Sequence, residues 1–358
     1  MKSLLCYAPP AGWLEDPSKG SWYCGIPRSS LRPRACIAHR GGKRRPRSRV
    51  PLSKGERTMR RAIAGLLLMV LTGSSAACGD SRAATNDRGI PAELRVGIIP
   101  SVSPDEQKAH YEPLADYLSK SLDTEVELFT ASDYAGVVEA LASKRIDVAY
   151  LGGLTYAQAE RQVKLTPMVT EIDPETSTRK YESAIVVRKN SDWHSVKELL
   201  GSNPTFAFGD VSSTSGSLYP RIMLIDAGAK CDAGEPTSCP PLSKVTFAGG
   251  HDAVAQAVAA GKVDAGGLEA RILHRLQKEG SVPKDAFRTI GSRHVMGYPW
   301  AARSALGDEA IGEITKAFQT MDDPELLDLM HAKRYARVTA DDYAEIRSSG
   351  KKLGLVSD

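Results

Sequence analysis

The segment Thr205–Ser217, TFAFGDVSSTSGS, joins a predicted strand to a predicted helix through a turn rich in small hydroxyl residues. The apolar residues up to Phe208 are typical of a buried strand, and helical spacing begins near Ser217 to Tyr219. The first N–H groups of a helix lack internal partners and carry partial positive charge, so this junction favours a bound anion. An ordinary N-cap is the alternative, because Ser and Thr begin many helices for local reasons.

Outward from this segment, strands and helices alternate in both directions. We predict strands at 94–99, 126–129, 146–151, 206–208, 244–247 and 263–265, and helices at 109–122, 134–143, 196–200, 218–227 and 252–260. This alternation predicts α/β units with mostly parallel sheets flanked by helices, and ligand sites beyond the carboxyl ends of the strands. Two extended segments, 181–187 and 288–302, join the units. The expected fold is therefore a two-lobed clamp with two crossover hinge strands.

The formal charge of +4 over 358 residues is unevenly distributed. Fifteen of the 47 Lys and Arg residues, but three of the 43 Asp and Glu residues, precede Cys78, so the chain from Cys78 onward carries a formal charge of −8. This acidic balance argues against nucleic-acid binding, because a phosphate backbone requires a basic surface.

Residues 1–58 have the composition of an extension rather than of a domain. They are rich in Pro, Gly, Ser and Arg and show no sustained apolar period, so they cannot bury enough surface to fold. We interpret them as a non-native or disordered upstream segment, with translation starting at Met59; a basic RNA-binding tail is the alternative. Residues 59–77 form a signal peptide, with two arginines before a ten-residue apolar run. We therefore expect export, to the periplasm or the outer face of the cytoplasmic membrane.

The cysteines fit an exported protein. The run Ala76-Ala77-Cys78 resembles a bacterial lipobox, in which the cysteine is lipidated, but Ser75 replaces the usual Leu and leaves ordinary cleavage open. Residues 78–92 form a polar tether. Cys231 and Cys239 lie in a loop rich in Pro, Gly and Ser and are predicted to form a disulfide, with two free thiols as the alternative. We expect no metal site there, since no His or third Cys is near.

Five short motifs resemble, in order and spacing, the phosphate/phosphite/phosphonate-binding subunits of bacterial ABC importers. They are Ser132-Asp133-Tyr134-Ala135-Gly136, Ile146-Asp147-Val148-Ala149-Tyr150, Tyr181-Glu182-Ser183, Asp210-Val211-Ser212-Ser213-Thr214-Ser215-Gly216 and Ala248-Gly249-Gly250-His251. The resemblance covers about residues 94–355 and implies the two-lobed periplasmic binding protein fold of the second type. We assign 93–186 with 296–358 to lobe 1, and 187–295 to lobe 2.

The resemblance also implies a set of ligand-binding residues. The run Ser213-Thr214-Ser215 falls on positions that hold phosphonyl oxygens through hydroxyl and backbone N–H groups, and His251 falls on a position that adds a hydrogen bond from the same lobe. Tyr134 and Tyr181 fall on contacts from the opposite lobe. Charge-assisted bonds suit an oxyanion, and a protonated histidine donates from both nitrogens. Without the resemblance, packing explains the tyrosines and helix capping explains His251.

One position departs from the family pattern. In relatives that bind aminoalkylphosphonates, acidic residues hold the ammonium group. Tyr298 stands at one such place, and the other falls near Glu269 or Arg271. Because a tyrosine supplies no full negative charge, we predict that Tyr298 lines a site for phosphite, methylphosphonate or another compact oxyanion rather than for a zwitterion.

The sequence is thus interpreted as the extracytoplasmic solute-binding component of an ABC importer, with a small phosphorus oxyanion (phosphonate, phosphite or phosphate) in the cleft between the lobes. The implied partners are an ABC permease and its ATPase; we expect a monomer without cofactor, held to the membrane by a lipid anchor at most. An enzyme is disfavoured, because Ser213 or Ser215 with His251 lacks an evident acid partner and a nucleophile-elbow motif. The alternative is a ligand-sensing protein for another small anion that signals through a membrane partner.

Overall fold

The computed structural model describes residues 85–357 and two short segments, Leu14–Glu15 and Trp22–Tyr23. These segments pair as the antiparallel strands β1 and β2 within one unit of the chain, and Cys78–Asp358 forms a second compact unit. The predicted signal peptide at 59–77 and the lipidation site Cys78 lie outside the described residues, as does most of the upstream extension.

Strands and helices alternate along the second unit. The strands are β3 (Glu93–Ile98), β4 (Glu125–Thr130), β5 (Val148–Tyr150), β6 (Leu165–Ile172), β7 (Lys180–Arg188), β8 (Thr205–Phe208), β9 (Lys244–Phe247), β10 (Ala265–Glu269), β11 (Phe287–Met296), β12 (Trp300–Arg303) and β13 (Arg334–Arg337). The helices are α1 (Pro104–Leu122), α2 (Tyr134–Ala142), α3 (Gly153–Ala159), α4 (Val196–Leu200), α5 (Tyr219–Asp226), α6 (His251–Ala259), α7 (Ala270–Glu279), α8 (Asp308–Gln319), α9 (Pro324–Leu329) and α10 (Ala344–Lys352). A π-helical turn, Thr214–Leu218, precedes α5, and 3₁₀ turns precede α8 and α10.

The first sheet has the strand order β13-β6-β12-β5-β3-β4. Strands β3, β4 and β5 are parallel neighbours, whereas β12 runs antiparallel between β5 and β6. Helix α1 packs its apolar face on this sheet, with Leu114, Leu118 and Leu122 buried as their helical spacing predicts.

The second sheet has the order β11-β7-β10-β8-β9. Four of its described strands run in one direction and β7 runs in the other. Successive residues of β7 enter cores on opposite faces, Ile185 on one and Val186 on the other, as the pleat of a strand requires. The predicted α/β architecture, with two helix-flanked sheets, is confirmed.

The chain passes from the first sheet to the second between β6 and β7, and returns between β11 and β12. Strand β7 pairs throughout with β11, so both crossover segments belong to the second sheet up to Met296. We refer below to the two halves by their sheets. None of the helices in the described part of the chain is long and apolar enough to span a bilayer.

The loop between α5 and β9 contains Cys231 and Cys239. Their sulfur atoms lie at bonding distance, as the disulfide prediction requires. Cys239 is buried in the core under α5, so the loop is attached to the body of the second half.

Candidate ligand-binding site

The predicted strand–turn–helix junction is present at the end of β8. Ser213 caps the π-helical turn, and its Oγ accepts a hydrogen bond from the Gly216 N–H at 3.0 Å. Gly209 donates its N–H to the Gly216 carbonyl at 2.8 Å, and a Cβ on Gly216 would lie 3.2 Å from the Gly209 Cα. The close approach of these two backbones therefore requires glycine. The turn therefore has a capped N-terminus, and its residues Thr214 and Ser215 are buried.

The first half contacts this turn directly through α3. The Thr214 Oγ1 accepts a hydrogen bond from the Leu154 N–H at 2.9 Å, and the Thr155 Oγ1 donates to the Ser212 carbonyl at 3.0 Å. Thr214 and Thr155 are both fully buried. The turn of hydroxyl residues thus lies at the boundary between the two halves, where each half supplies hydrogen-bonding groups.

Four buried polar atoms in or near the turn have no hydrogen-bond partner among the described residues: Ser215 Oγ, Ser217 Oγ, Tyr181 Oη and His251 Nε2. Ser183 connects β7 to the turn, since its Oγ donates to the Ser215 carbonyl at 2.9 Å. The His251 ring also lies beside the turn, because a Cβ on Gly216 would be 3.1 Å from the His251 Cε1. Leaving a buried polar group unpaired costs about 1–3 kcal/mol, so four together indicate a place built for a polar ligand.

His251 begins α6, and its hydrogen bonds determine its tautomer. Its backbone N–H donates to the Ser101 carbonyl at 2.8 Å, and its Nδ1 accepts from the Glu269 N–H at 3.3 Å. A nitrogen that accepts carries no proton, so the proton of the neutral ring is on Nε2, the unpaired atom. Burial also lowers the pKa of His251, against the opposing influence of Glu269 and Asp252. The imidazole is therefore a neutral ring whose available donor is Nε2, because Nδ1 already accepts from the Glu269 N–H.

The two predicted tyrosines approach the turn from separate elements. Tyr134 begins α2, and its N–H donates to the Asp210 carboxylate at 3.4 Å. Burial raises the pKa of Tyr134, with Asp210 adding to this and the Ser213 hydroxyl opposing it. Burial likewise raises the pKa of Tyr181, and the nearby Glu269 adds to it. Both hydroxyls therefore stay protonated and can donate.

Tyr298 occupies a different position from the other predicted residues. Its ring lies 4.9 Å from that of Tyr181, centroid to centroid, but its hydroxyl donates to the Glu269 carboxylate at 2.5 Å. Glu269 also accepts from Arg271, at 2.7 Å, so both candidates for the second acidic position belong to one buried ion pair. The Tyr298 hydroxyl is therefore held by Glu269, while its ring packs against that of Tyr181.

The structure brings the predicted residues together around one turn. Ser213 and Thr214 use their oxygens as acceptors for backbone N–H groups, which leaves each hydroxyl proton free to donate elsewhere. The alternative nucleophile–base pair is not formed, since neither Ser215 Oγ nor His251 Nε2 has a hydrogen-bond partner in the described chain. Sequence reasoning missed Thr155, because a lone hydroxyl residue gives no local signal, and assigned no role to Ser183 although it belongs to the motif Tyr181-Glu182-Ser183.

Two α/β halves with a shared set of buried donors at a helix N-terminus define the class of two-lobed solute-binding proteins. Comparisons with known proteins agree with this class. A model of the family described as "ABC transporter, phosphonate, periplasmic substrate-binding protein" matches residues 96–343. The chain belongs to this family.

Individual relatives support the assignment. The chain is 32% identical over 254 residues to the phosphate-import protein PhnD of Mycolicibacterium smegmatis, which covers 70% of this chain and 78% of that protein. Among solved structures it is similar to PhnD1 of Prochlorococcus marinus in complex with methylphosphonate, with 27% identity, a TM-score of 0.64, and coverage of 74% of this chain and 99% of that one. A binding protein of a phosphonate transporter from Pseudomonas aeruginosa shares the fold, with 22% identity, a TM-score of 0.65 and coverage of 73% and 86%.

Proposed function

We propose that this protein is the extracytoplasmic solute-binding component of an ABC importer and binds a small phosphorus oxyanion between its two halves. The observation that carries the proposal is the convergence of Ser215 Oγ, Tyr181 Oη and His251 Nε2, all buried and unpaired, on the N-terminus of one helical turn. A tetrahedral oxyanion accepts several hydrogen bonds from different directions, and a helix N-terminus favours its charge.

The donors are neutral, and this favours a ligand that can be released. Hydroxyls, a neutral imidazole and backbone N–H groups stabilise an anion through dipoles, without the full counter-charge of an arginine or a lysine. The charged groups nearby already have partners: Arg271 pairs with Glu269, and Asp210 accepts from two backbone N–H groups. An importer needs such reversible binding, because the solute passes on to a permease.

The relatives favour phosphate, phosphite and phosphonate as the ligand class. One is named a phosphate-import protein, and another, PhnD1 of Prochlorococcus marinus, is named a probable phosphite-binding protein and was solved with methylphosphonate. We further propose, from the family and the predicted leader, an ABC permease and ATPase as partners, a monomeric protein, and export across the cytoplasmic membrane, with either a lipid anchor at Cys78 or ordinary cleavage after Ala77.

Calorimetric titration tests the ligand class. We expect phosphite, methylphosphonate or phosphate to bind the purified protein, and 2-aminoethylphosphonate to bind more weakly. The variants His251→Ala and Thr214→Ala should each weaken binding by about 1–3 kcal/mol, because a buried partner is left unpaired. The matched control is His194→Ala, since His194 is exposed. Unchanged affinity in both site variants, or no binding of any phosphorus ligand, would contradict the proposal.

A further inference from the structure

Arg221 is a buried cation that forms no ion pair with any residue the structure describes. It lies on α5 with 1% of its surface exposed. Its Nη2 donates to the Pro236 carbonyl at 2.9 Å, whereas its Nε and Nη1 have no hydrogen-bond partner in the described chain. By contrast, Arg271 in the same half forms an ion pair with Glu269. A buried charge without compensation is costly, so the position of Arg221 requires an explanation.

The surroundings of the Arg221 guanidinium screen its charge poorly. The group lies over the Phe208 ring, 4.5 Å from the centroid, and Phe208 stacks in turn on Phe247, with 5.6 Å between the centroids. Burial lowers the pKa of Arg221 to about 10, and no charged group contributes to this shift. Arg221 therefore stays positively charged at neutral pH. Because apolar surroundings have a low dielectric constant, its field reaches further than that of an exposed arginine.

Arg221 lies directly behind the hydroxyl-rich turn. Phe208 is the last residue of β8, and its neighbour Gly209 donates its N–H to the Gly216 carbonyl of the turn at 2.8 Å. On the helical side, Arg221 follows Ser215 by six positions, which corresponds to about 9 Å at the rise of a helix. Because helical side chains lean toward the N-terminus, the guanidinium lies within about 10 Å of the unpaired Ser215 hydroxyl.

The carboxylate of the turn does not neutralise this charge. Asp210 accepts from the Ser212 N–H at 2.7 Å and from the Tyr134 N–H at 3.4 Å, so it is directed toward α2 of the first half. The donors of the candidate site, which are hydroxyls, an imidazole and backbone N–H groups, carry no net charge. An oxyanion bound at the turn would therefore compensate the charge of Arg221 through the protein interior, without touching the guanidinium.

We propose that Arg221 is a charge-selecting residue, which acts from behind the turn and favours a doubly charged oxyanion over a singly charged one. This inference rests on the proposed function and specifies the charge state of the ligand. Two unit charges about 10 Å apart, at an effective dielectric constant of about 20, attract each other strongly enough to change affinity about 10-fold. The second negative charge of a ligand therefore adds about a further 10-fold to the contribution of Arg221.

Two ligands of different charge provide the first test. At about pH 8 phosphite carries two negative charges, whereas hypophosphite, with one oxygen fewer, carries one. Arg221→Met removes the positive charge and keeps an apolar side chain against Phe208. Calorimetry should find the affinity for phosphite reduced about 100-fold and that for hypophosphite about 10-fold. Equal losses for the two ligands, or unchanged affinity for phosphite, would overturn the inference and leave the proposed function intact. Failure of the unaltered protein to bind any phosphorus oxyanion would overturn both.

A second variant separates the charge of Arg221 from its hydrogen bond. Arg221→Gln loses the charge but keeps an amide that can donate to the Pro236 carbonyl, so we expect the same loss of about 100-fold for phosphite. Affinity for phosphite near that of the unaltered protein would show that Arg221 serves to anchor Pro236, and would overturn the inference.

The matched control is Arg288→Met. Arg288 donates to the carbonyls of Ser191 and Trp193 at the start of β11, a strand that runs in the direction of β8 and so begins at the end of the sheet opposite the turn. Its affinity for phosphite should stay within about threefold of that of the unaltered protein. If Arg221→Met does not fold, or hypophosphite does not bind, the comparison of Arg221→Gln with this control decides.

Discussion

The Thr214 hydroxyl oxygen accepts a hydrogen bond from the backbone N–H of Leu154 at 2.9 Å, although the two residues belong to halves built on different sheets. Other bonds cross the same boundary, among them those from Thr155 Oγ1 to the Ser212 carbonyl, from the His251 N–H to the Ser101 carbonyl and from the Tyr134 N–H to the Asp210 carboxylate. The halves therefore contact each other directly as well as through any shared ligand. Such contacts stabilise the arrangement in which the two halves meet at the turn, and we expect them to contribute to the affinity for a ligand bound there.

A variant at Thr155 tests this coupling. Thr155→Val removes the bond to Ser212 with little change in shape, and we expect it to weaken phosphorus-oxyanion binding by about 3- to 10-fold, since one buried hydrogen bond between the halves contributes about 1 kcal/mol. Calorimetry provides the measurement. Thr315→Val is the matched control, because Thr315 is equally buried but bonds within α8. Equal losses of affinity in the two variants would argue against a role for the boundary.

The unpaired donors predict opposite effects on binding and stability. Tyr181→Phe and Ser215→Ala each remove a buried hydroxyl without a partner. We expect each to raise the free energy of unfolding of the ligand-free protein by about 1 kcal/mol and to weaken ligand binding by a similar amount or more. Urea unfolding and calorimetry measure the two quantities.

Ser183→Ala is the control for these variants. Its buried hydroxyl is already bonded to the Ser215 carbonyl, so its removal should lower the stability of the ligand-free protein. A fall in stability for all three variants would show that the hydroxyls of Tyr181 and Ser215 have partners within the folded protein.

Glu171 predicts a pH dependence of stability. Burial raises its pKa from the ordinary 4.5 to about 7, although Arg271 opposes the shift. A raised pKa means that the folded state binds the proton more tightly, so this contribution is complete below about pH 4.5 and is lost as the pH rises through about 7. Glu171→Gln should therefore match the unaltered protein near pH 4.5 and exceed its unfolding free energy by about 1–3 kcal/mol at pH 8.

Urea unfolding across this pH range measures the effect. Glu127→Gln is the control, because Glu127 is exposed on β4 of the same sheet. Parallel pH profiles for Glu171→Gln and the unaltered protein would contradict the assignment of the shift to Glu171.

The cysteine pair predicts a redox dependence. Thiol alkylation followed by mass spectrometry should find Cys231 and Cys239 blocked before reduction and reactive after it. We expect the double variant Cys231→Ser with Cys239→Ser to lose about 2–3 kcal/mol of stability, the value for a short loop closed by a disulfide. Ligand affinity should stay unchanged, because Cys239 packs in the core under α5 and neither cysteine is among the residues of the candidate site. Full alkylation of both cysteines without reductant would show that they are free thiols, which is the alternative to the predicted disulfide.

The sequence analysis missed several elements, because close packing outweighs the local secondary-structure propensity of their residues. Helix α3 begins at Gly153, the second residue of a Gly-Gly pair that is typical of a strand end. A Cβ on Gly153 would lie 2.5 Å from Ile346 Cδ1. Strand β10 extends to Glu269 through Gly266 and Gly267, which are poor strand formers. Side chains there would collide with Val254 and Pro220. Glycine is needed at these positions so that helices can approach the sheets.

The sequence by itself determined the alternation of strands and helices, the two α/β units and the hydroxyl-rich junction after β8, because apolar periodicity and helix capping act over a few neighbouring residues. Only the tertiary structure decided the tautomer of His251, the bond from Thr155 to Ser212, and the anchoring of Tyr298 by Glu269 and Arg271. Each of these depends on groups that are distant along the chain and meet only when the two halves pack together.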